Sequence, residues 1–252
     1  MPNACDFTGL SLEEGRRSGW QAAIHPADLP GFVEQWRSML ASGEPGDLEL
    51  RLRQADGAYR WFLVTGGPLR DAAGRVVTWY GMSTDIEDRK DAEALLAGEK
   101  RFLEMVARGH AMPAILDALC RFVESTAGGC FCSVVLVDPS GTRLEHCAAP
   151  SLPASFIASI NGRPVTAEAG PSAMAAALNQ QVIAGDLESE TRWADYQWCD
   201  MALAHGLKAC WSTPILSTAG KVLGAFAIYY NEPRTWPRSS SPRRCGSSTG
   251  RA

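Results

Sequence analysis

Leu207-Lys208-Ala209-Cys210-Trp211-Ser212-Thr213-Pro214-Ile215-Leu216 and Lys221-Val222-Leu223-Gly224-Ala225-Phe226-Ala227-Ile228-Tyr229-Tyr230 are two apolar runs hinged at Ser217 to Gly220. Their strand length, their β-branched and aromatic content and the small polar hinge predict a β-hairpin. Immediately upstream, Trp193 to His205 reads as a helix that Gly206 stops. Further out, Ser133 to Val137 is a buried strand, Asp138-Pro139-Ser140-Gly141 is its turn, and Thr142 to Ala148 is the returning partner. Between these lie a helical Ala173 to Leu178, a short strand Val182-Ile183-Ala184, and residues 150–170, expected as loop with a short helix. Helices mixed with antiparallel strands predict an α+β fold.

Working back towards the amino terminus, residues 1–86 predict helices followed by a three-stranded meander. Asp28 is placed to cap a helix whose apolar positions Leu29, Phe32, Val33, Trp36 and Leu40 recur at helical spacing, with Pro30 in the first turn and Gly43 as the stop. Leu48, Leu50 and Leu52 then alternate with Glu49, Arg51 and Arg53, a strand with one buried face. Asp56-Gly57 turns into Tyr59 to Thr65, and Asp71 to Gly74 turns into Val76 to Met82. From Asp85 the period changes to that of a helix. Ala92, Leu96, Glu99, Leu103 and Val106 form a short heptad-like seam, open to two readings: an amphipathic helix packed on its own domain, or a dimeric connector. A second helix, about Pro113 to Ser125, follows.

The 252 residues bracket one large domain or two modest ones. Hydrophobic residues make up 46% and charged residues 21%, an ordinary globular composition. A net charge of −4 does not advertise nucleic acid or an anionic membrane as a partner. No apolar run reaches the ~20 residues of a membrane helix, and Met1 to Trp20 lacks the layout of a secretory signal; the expectation is a cytoplasmic protein. The eight cysteines, Cys5, Cys120, Cys130, Cys132, Cys147, Cys199, Cys210 and Cys245, contain no C-x-x-C pair. Cys130 and Cys132 should share one strand face as reduced, buried thiols, and no metal site is expected. From Ser239 to Ala252 there are five serines, three arginines and no acidic residue, a disordered basic tail or one read from a shifted frame.

Two resemblances rest on these residues. Residues 7–90 resemble the later part of a PAS domain through Phe7-Thr8-Gly9-Leu10, Ile24-His25-Pro26-Ala27-Asp28, Asp56-Gly57 with Arg60-Trp61, and Trp79-Tyr80-Gly81 running into Thr84-Asp85-Ile86-Glu87-Asp88-Arg89-Lys90. The fold normally opens with two strands ahead of Phe7, so a partial PAS domain is expected. Residues 100–232 resemble a GAF domain through Cys132 to Asp138, Ala149 to Pro153, Arg192 to Tyr196, and most strongly Ala202 to Leu207, Cys210 to Ile215 and Gly224 to Tyr230. A departure is Pro171-Ser172-Ala173-Met174, where relatives often carry a Ser-Cys-Gly-Thr-type segment. The family's closing helix has no counterpart in the tail, so Leu103, Val106, Leu116 and Leu119 are expected to lie exposed and to favour self-association. The implied division is a partial PAS-like domain over 1–86, a connector helix over 87–109, a GAF-like domain over 110–232 and a tail over 233–252.

The order PAS, connector, GAF resembles the sensory portion of proteobacterial histidine kinases or cyclic-di-GMP enzymes. It implies a non-catalytic module that relays a ligand or partner signal through a helix to an output domain. The alternatives are a truncated histidine kinase or cyclic-di-GMP enzyme, and a dimerisation module with no ligand. The resemblance implies a signal relay through Trp79, Asp85 and Arg89, with the Asp85 carboxylate capping the outgoing helix and Arg89 as its ion-pair partner. Among Trp193, Tyr196, Trp198 and Trp211, the candidates for a small-molecule pocket are Trp193, Tyr196 and Trp211, although aromatics at such spacing more often fill a core. The resemblance also implies a homodimer and names no cofactor. No catalytic residue is expected. His25, His110, His146 and His205 lack a nucleophile or carboxylate at useful spacing, and phosphate-loop and dinucleotide fingerprints are missing.

Overall fold

The computed structural model describes Thr8 and residues 19–234. The expectations for the tail from Ser239, and for Phe7, Gly9 and Leu10, lie outside those residues. The chain divides into two units, one ending at Glu99 and one beginning at Lys100.

In the first unit, helix α1 (Leu29–Ser42) precedes three antiparallel strands, β1 (Gly46–Arg53), β2 (Tyr59–Arg70) and β3 (Val76–Asp85), in the order β1-β2-β3. Gly43, at φ 69°, ends α1 in the left-handed conformation, its amide donating to the Met39 carbonyl. Ile24, Phe32 and Leu50 form the core, with Trp36, Leu48, Leu52 and Val64 packed around them. Both β2 and β3 run further than their apolar content predicts. Gly66-Gly67-Pro68 reads as a breaker, yet it pairs with Gly81, Tyr80 and Trp79. The missing side chain is used: a Cβ on Gly66 would lie 2.8 Å from Met39 Cε and 3.1 Å from Trp36 Cζ3, so α1 seats directly on the strand.

Asp28 corrects an expectation. It stands at the N-cap of α1, but its side chain makes no capping bond. The carboxylate instead accepts from the Arg51 amide at 2.9 Å, from its Nε at 2.9 Å and from its Nη2 at 2.7 Å. A guanidinium fork and an amide together outcompete the helix amides for one carboxylate. The Arg51 contact also holds the Asp28 carboxyl below its ordinary range. Asp28→Asn is therefore expected to destabilise the first unit by about 1.5–3 kcal/mol at neutral pH. Because the folded-state pKa is depressed, this contribution is present above the unfolded value of 3.8 and is lost as pH falls through the folded value. Urea melts of the two proteins at pH 7 and pH 3 check this; an unchanged gap at the two pH values refutes it.

The second unit is built on a five-stranded antiparallel sheet, β4 (Cys130–Val137), β5 (Leu144–Ala148), β6 (Val182–Ala184), β7 (Ala209–Leu216) and β8 (Val222–Tyr230), in the order β5-β4-β8-β7-β6. The predicted terminal hairpin, β7-β8, is its centre. One face, through Val135 and Tyr229, shares a core with Phe156, Leu187 and Trp193 on the side of α4 (Ala154–Ile160), α5 (Pro171–Leu178) and α6 (Trp198–Ala204). The opposite face carries Cys130, Cys132, Val134, Trp211 and Tyr230, packed with Cys120, Leu116 and Val123 of α3 (Met112–Ala127). Helix α2 (Glu87–Ala107) precedes α3 in the chain.

Cys130 and Cys132 share a face, as the period of a strand requires. Burial pushes the neighbouring Cys120 thiol up to about 12, which makes it a poor nucleophile. Among the described residues no group of His, Cys, Asp and Glu is placed to hold a metal ion. No described helix is long and apolar enough to cross a membrane.

Two local expectations are corrected here. Residues 193–205 do not form one helix: a 3-10 turn, Ala194–Tyr196, is followed by Gln197 at φ 49° and then by α6. Trp193 and Trp198 both enter the same core and meet edge to face at 5.7 Å. Positions five apart on a straight helix point about 140° away from each other, so the chain must break to bury both. Strand β5 begins at Leu144 rather than Thr142, because Asp138 Oδ1 takes the amides of Thr142 and Arg143 at 2.8 and 2.9 Å and keeps them in the turn.

Candidate functional sites

The end of β3 is tied to the start of α2 by a compact set of polar contacts. Asp85 Oδ1 accepts from the Glu87 amide at 2.9 Å, the capping role expected of it, and its Oδ2 meets Arg60 Nη1 at 2.9 Å. The Ile86 amide donates to the Trp61 carbonyl at 2.9 Å, and the Trp61 amide donates to Glu87 Oε2 at 2.6 Å. The first turn of α2 is thus hydrogen-bonded to β2 as well as continuing β3.

Arg89 does not pair with Asp85. It reaches Glu49 on β1 and Glu93 one turn along α2, and Lys90 joins the same two carboxylates. The Lys90 and Arg89 contacts draw the Glu49 carboxyl below its ordinary range. The indole of Trp61 has Lys90 Nζ at 5.0 Å and the Arg51 guanidinium at 5.2 Å from its ring centroid. Asp85 and Arg89 therefore sit at one end of the sheet in adjoining ion-pair sets. Trp79 is elsewhere: it pairs with Pro68 and lies edge to face with Trp36 at 5.7 Å. Arg60, Trp61, Glu87 and Lys90 were legible as motif residues and Glu49 as part of a strand, but the sequence assigned none of them a role at this site. The alternation through β1, which turns Glu49 and Arg51 away from the leucines, was the available signal.

In the second unit the three aromatic candidates do not converge. Trp193 is fully buried, its Nε1 donating to the Ala167 carbonyl at 3.0 Å and its ring covered by Arg192 at 4.5 Å. Trp211 lies in the core of the opposite sheet face, 4.8 Å from Tyr230. Tyr196 is 42% exposed on the 3-10 turn. Strand alternation explains the split: Cys210 and Tyr229 point to one face, Trp211 and Tyr230 to the other.

A small cavity of about 10 Å³ opens instead beneath α5, between Val135, Leu144, Ile160, Arg163, Ser172, Trp198 and Tyr229. Two hydroxyls line it, those of Ser172 and Tyr229, and Ser133 and Ser212 bond to them from behind. Tyr229, 1% exposed, has its hydroxyl 3.2 Å from Ser133 Oγ and also bonds Ser172, and Ser212 Oγ donates to Ser172 Oγ at 3.2 Å. Burial raises the Tyr229 phenol far above its ordinary value, so the group stays neutral. Arg163 Nε donates to the Ser159 carbonyl at 2.9 Å, and Nη1 donates to the Ala169 carbonyl at 3.0 Å. Among the described residues its Nη2 finds only the Met201 sulfur, at 3.7 Å. Burial lowers the Arg163 pKa, and Tyr196 is not among the residues that line the cavity. Trp193 touches the cavity through Trp198.

The coupling of this face to α3 is also built from named contacts. Val135 lines the cavity, while its neighbour Val134 packs in the core that holds Cys120 of α3. Glu124 of α3 accepts from the Cys132 amide at 2.8 Å and from Ser151 Oγ at 2.6 Å. Phe122 of α3 meets Phe102, in the last turns of α2, edge to face at 5.7 Å.

Residues 1–83 match the PAS fold family and residues 109–240 the GAF domain family. Over 84% of its length the chain is 32% identical to the methyl sulfide methyltransferase-associated sensor of Methanosarcina acetivorans, of which it spans 21%. It is 40% identical, over 34% of its length, to the peroxide stress-activated histidine kinase mak1 of Schizosaccharomyces pombe, of which it spans 5%. The chain thus covers a small part of these relatives. Among solved structures, the GAF domain of an Acinetobacter phosphoenolpyruvate-protein phosphotransferase superposes with a TM-score of 0.43 at 16% identity, covering 57% of this chain and 81% of that one. The chain belongs to the GAF domain family, carries a PAS fold match ahead of that domain, and is a sensory module of signal transduction.

Proposed function

We propose that this PAS–GAF module is an input device without chemistry of its own: the cavity of the second unit takes a small molecule, and its occupancy changes the pairing of α3 with α2. The observation that carries the reading is the unbroken set of contacts from cavity wall to helix pair, Val135 to Val134, β4 to Glu124, and Phe122 to Phe102. A ligand there biases two arrangements only through its different affinity for each. The output is an effector of the histidine-kinase kind, which the names of the relatives support.

The module acts as a homodimer through α2. The seam read from the sequence supports this, since Leu96 is 67%, Leu103 70% and Val106 60% exposed, while Leu116 is half-buried in its own core. Heptad-spaced leucines facing solvent are better covered by a second copy than left in water.

The relay is tested without a ligand. Ala173→Val adds two methyl groups at the cavity wall, where Ala173 is 2% exposed. It is expected to change hydrogen-exchange rates at least threefold in residues 112–127 and 100–107. Adding Phe102→Ala should retain the first response and abolish the second. An Ala173→Val protein that changes only residues around α5 overturns the relay.

A further inference from the structure

We propose that the cavity beneath α5 seats the carboxylate of a short aliphatic acid, with Arg163 as its anchor; this rests on reading the second unit as a ligand-sensing domain. Arg163 lines the cavity and forms no ion pair among the described residues. A guanidinium held by two backbone carbonyls and a thioether is under-served. Thioether sulfur is a weak acceptor, and a carboxylate oxygen arriving at Nη2 replaces the poorest bond the group makes with a charge-assisted one.

The rest of the wall has the same preference. It contains no acidic side chain. Ser172 and Ala173, which line it, lie in the first turn of α5, where the amides have no carbonyl of their own helix to bond and the helix dipole favours negative charge. Ser172 and Tyr229 bring hydroxyls, and Val135, Leu144 and Ile160 bring aliphatic surface. Cation, amides and hydroxyls beside branched alkyl groups match an anionic head on a short alkyl body.

The open space, about 10 Å³, admits one water-sized group as it stands, here one carboxylate oxygen beside Arg163. A body of two carbons requires the wall to part, and the Met201 side chain that Arg163 Nη2 touches is the contact that has to give way.

The probe is propionate, added to the full chain against sodium chloride at equal ionic strength, with inorganic phosphate as a second arm. At ten times the dissociation constant propionate should raise the melting temperature of the second unit by about 4 °C. Arg163→Met should remove the shift. Since Arg163 also ties Ser159 and Ala169, Arg163→Lys is the second variant: it keeps a cation but loses the fork, and should weaken binding at least tenfold. Propionate titrated calorimetrically into wild-type protein gives a readout that does not depend on any variant folding. No binding of propionate up to 100-fold above the protein concentration at millimolar protein, equal binding by Arg163→Lys, or tighter binding of phosphate each overturns the proposal. Propionate binding with unchanged exchange in residues 100–127 overturns the relay and leaves the carboxylate site standing. Absence of propionate binding, with the Ala173→Val response intact, does the reverse.

Discussion

Gly224→Val should prevent the second unit from forming its native sheet, and Gly224→Ala should come close to doing so. Gly224 sits in β8 opposite Leu136 of β4 and Ile215 of β7, at the middle of the five strands. A Cβ built there lies 2.1 Å from the Val135 carbonyl oxygen and 2.9 Å from Leu136 Cα. Both obstacles are backbone of β4, so no rotamer relieves the overlap; β4 and β8 must separate and lose the ladder hydrogen bonds between them. The cost is on the order of 3 kcal/mol or more for the single methyl, at the upper end of overpacking in cores, and greater for valine. A thermal melt followed by hydrogen exchange on residues 130–137 and 222–230 should show protection lost there while residues 46–85 keep theirs. Gly31→Ala in α1, with nothing within 4 Å of its Cβ position, is the control and should leave the melt unchanged or raise it slightly. A Gly224→Ala protein with wild-type protection in β4 would show that the sheet tolerates what the geometry forbids.

The same glycine shows how far sequence alone reaches. The hairpin around it was legible because strand pairing rewards runs of β-branched and aromatic residues, and the run from Val222 to Tyr230 has few competitors. Gly224 itself carries no such mark, because its value depends on a strand from nearly ninety positions away in the chain. The site behaved likewise. Asp85 as the cap of the outgoing helix followed from local chemistry, an acidic side chain two residues before an exposed amide. Its cation did not: the residue one turn along, Arg89, is recruited by Glu49, and Asp85 takes Arg60 from the neighbouring strand. Aromatic content pointed to Trp193, Tyr196 and Trp211 as one pocket, but Trp211 lies across the sheet. Period 2 places it opposite Cys210 and Tyr229, and only the pairing of β7 with β8 says which face holds the cavity. Arg163, in the loop after α4, looks like any solvated arginine until the fold leaves it without a carboxylate among the described residues.

Gly170→Ala is expected to close the cavity and to destabilise the second unit by about 3 kcal/mol. Gly170 has φ 120° and ψ 172°, a region that side chains with a Cβ avoid at a cost of about 1–3 kcal/mol. It also lies against the indole of Trp198: its Cβ would stand 2.5 Å from Cδ1 and 2.8 Å from Nε1. Trp198 is 3% exposed and wedged against Trp193, so the ring has no free direction in which to retreat. Two effects therefore add, backbone strain and displacement of a buried tryptophan that lines the cavity. The indole moves before the sheet does, because β7 and β8 do not depend on Gly170. The expected signature is a changed tryptophan emission maximum with protection retained in residues 209–230, and loss of the propionate response described above. If the variant keeps wild-type emission and melting, Trp198 is not wedged as the contacts require. If emission shifts but propionate still stabilises the protein fully, the cavity wall at Trp198 takes no part in binding and the carboxylate must be held by Arg163 from its other side.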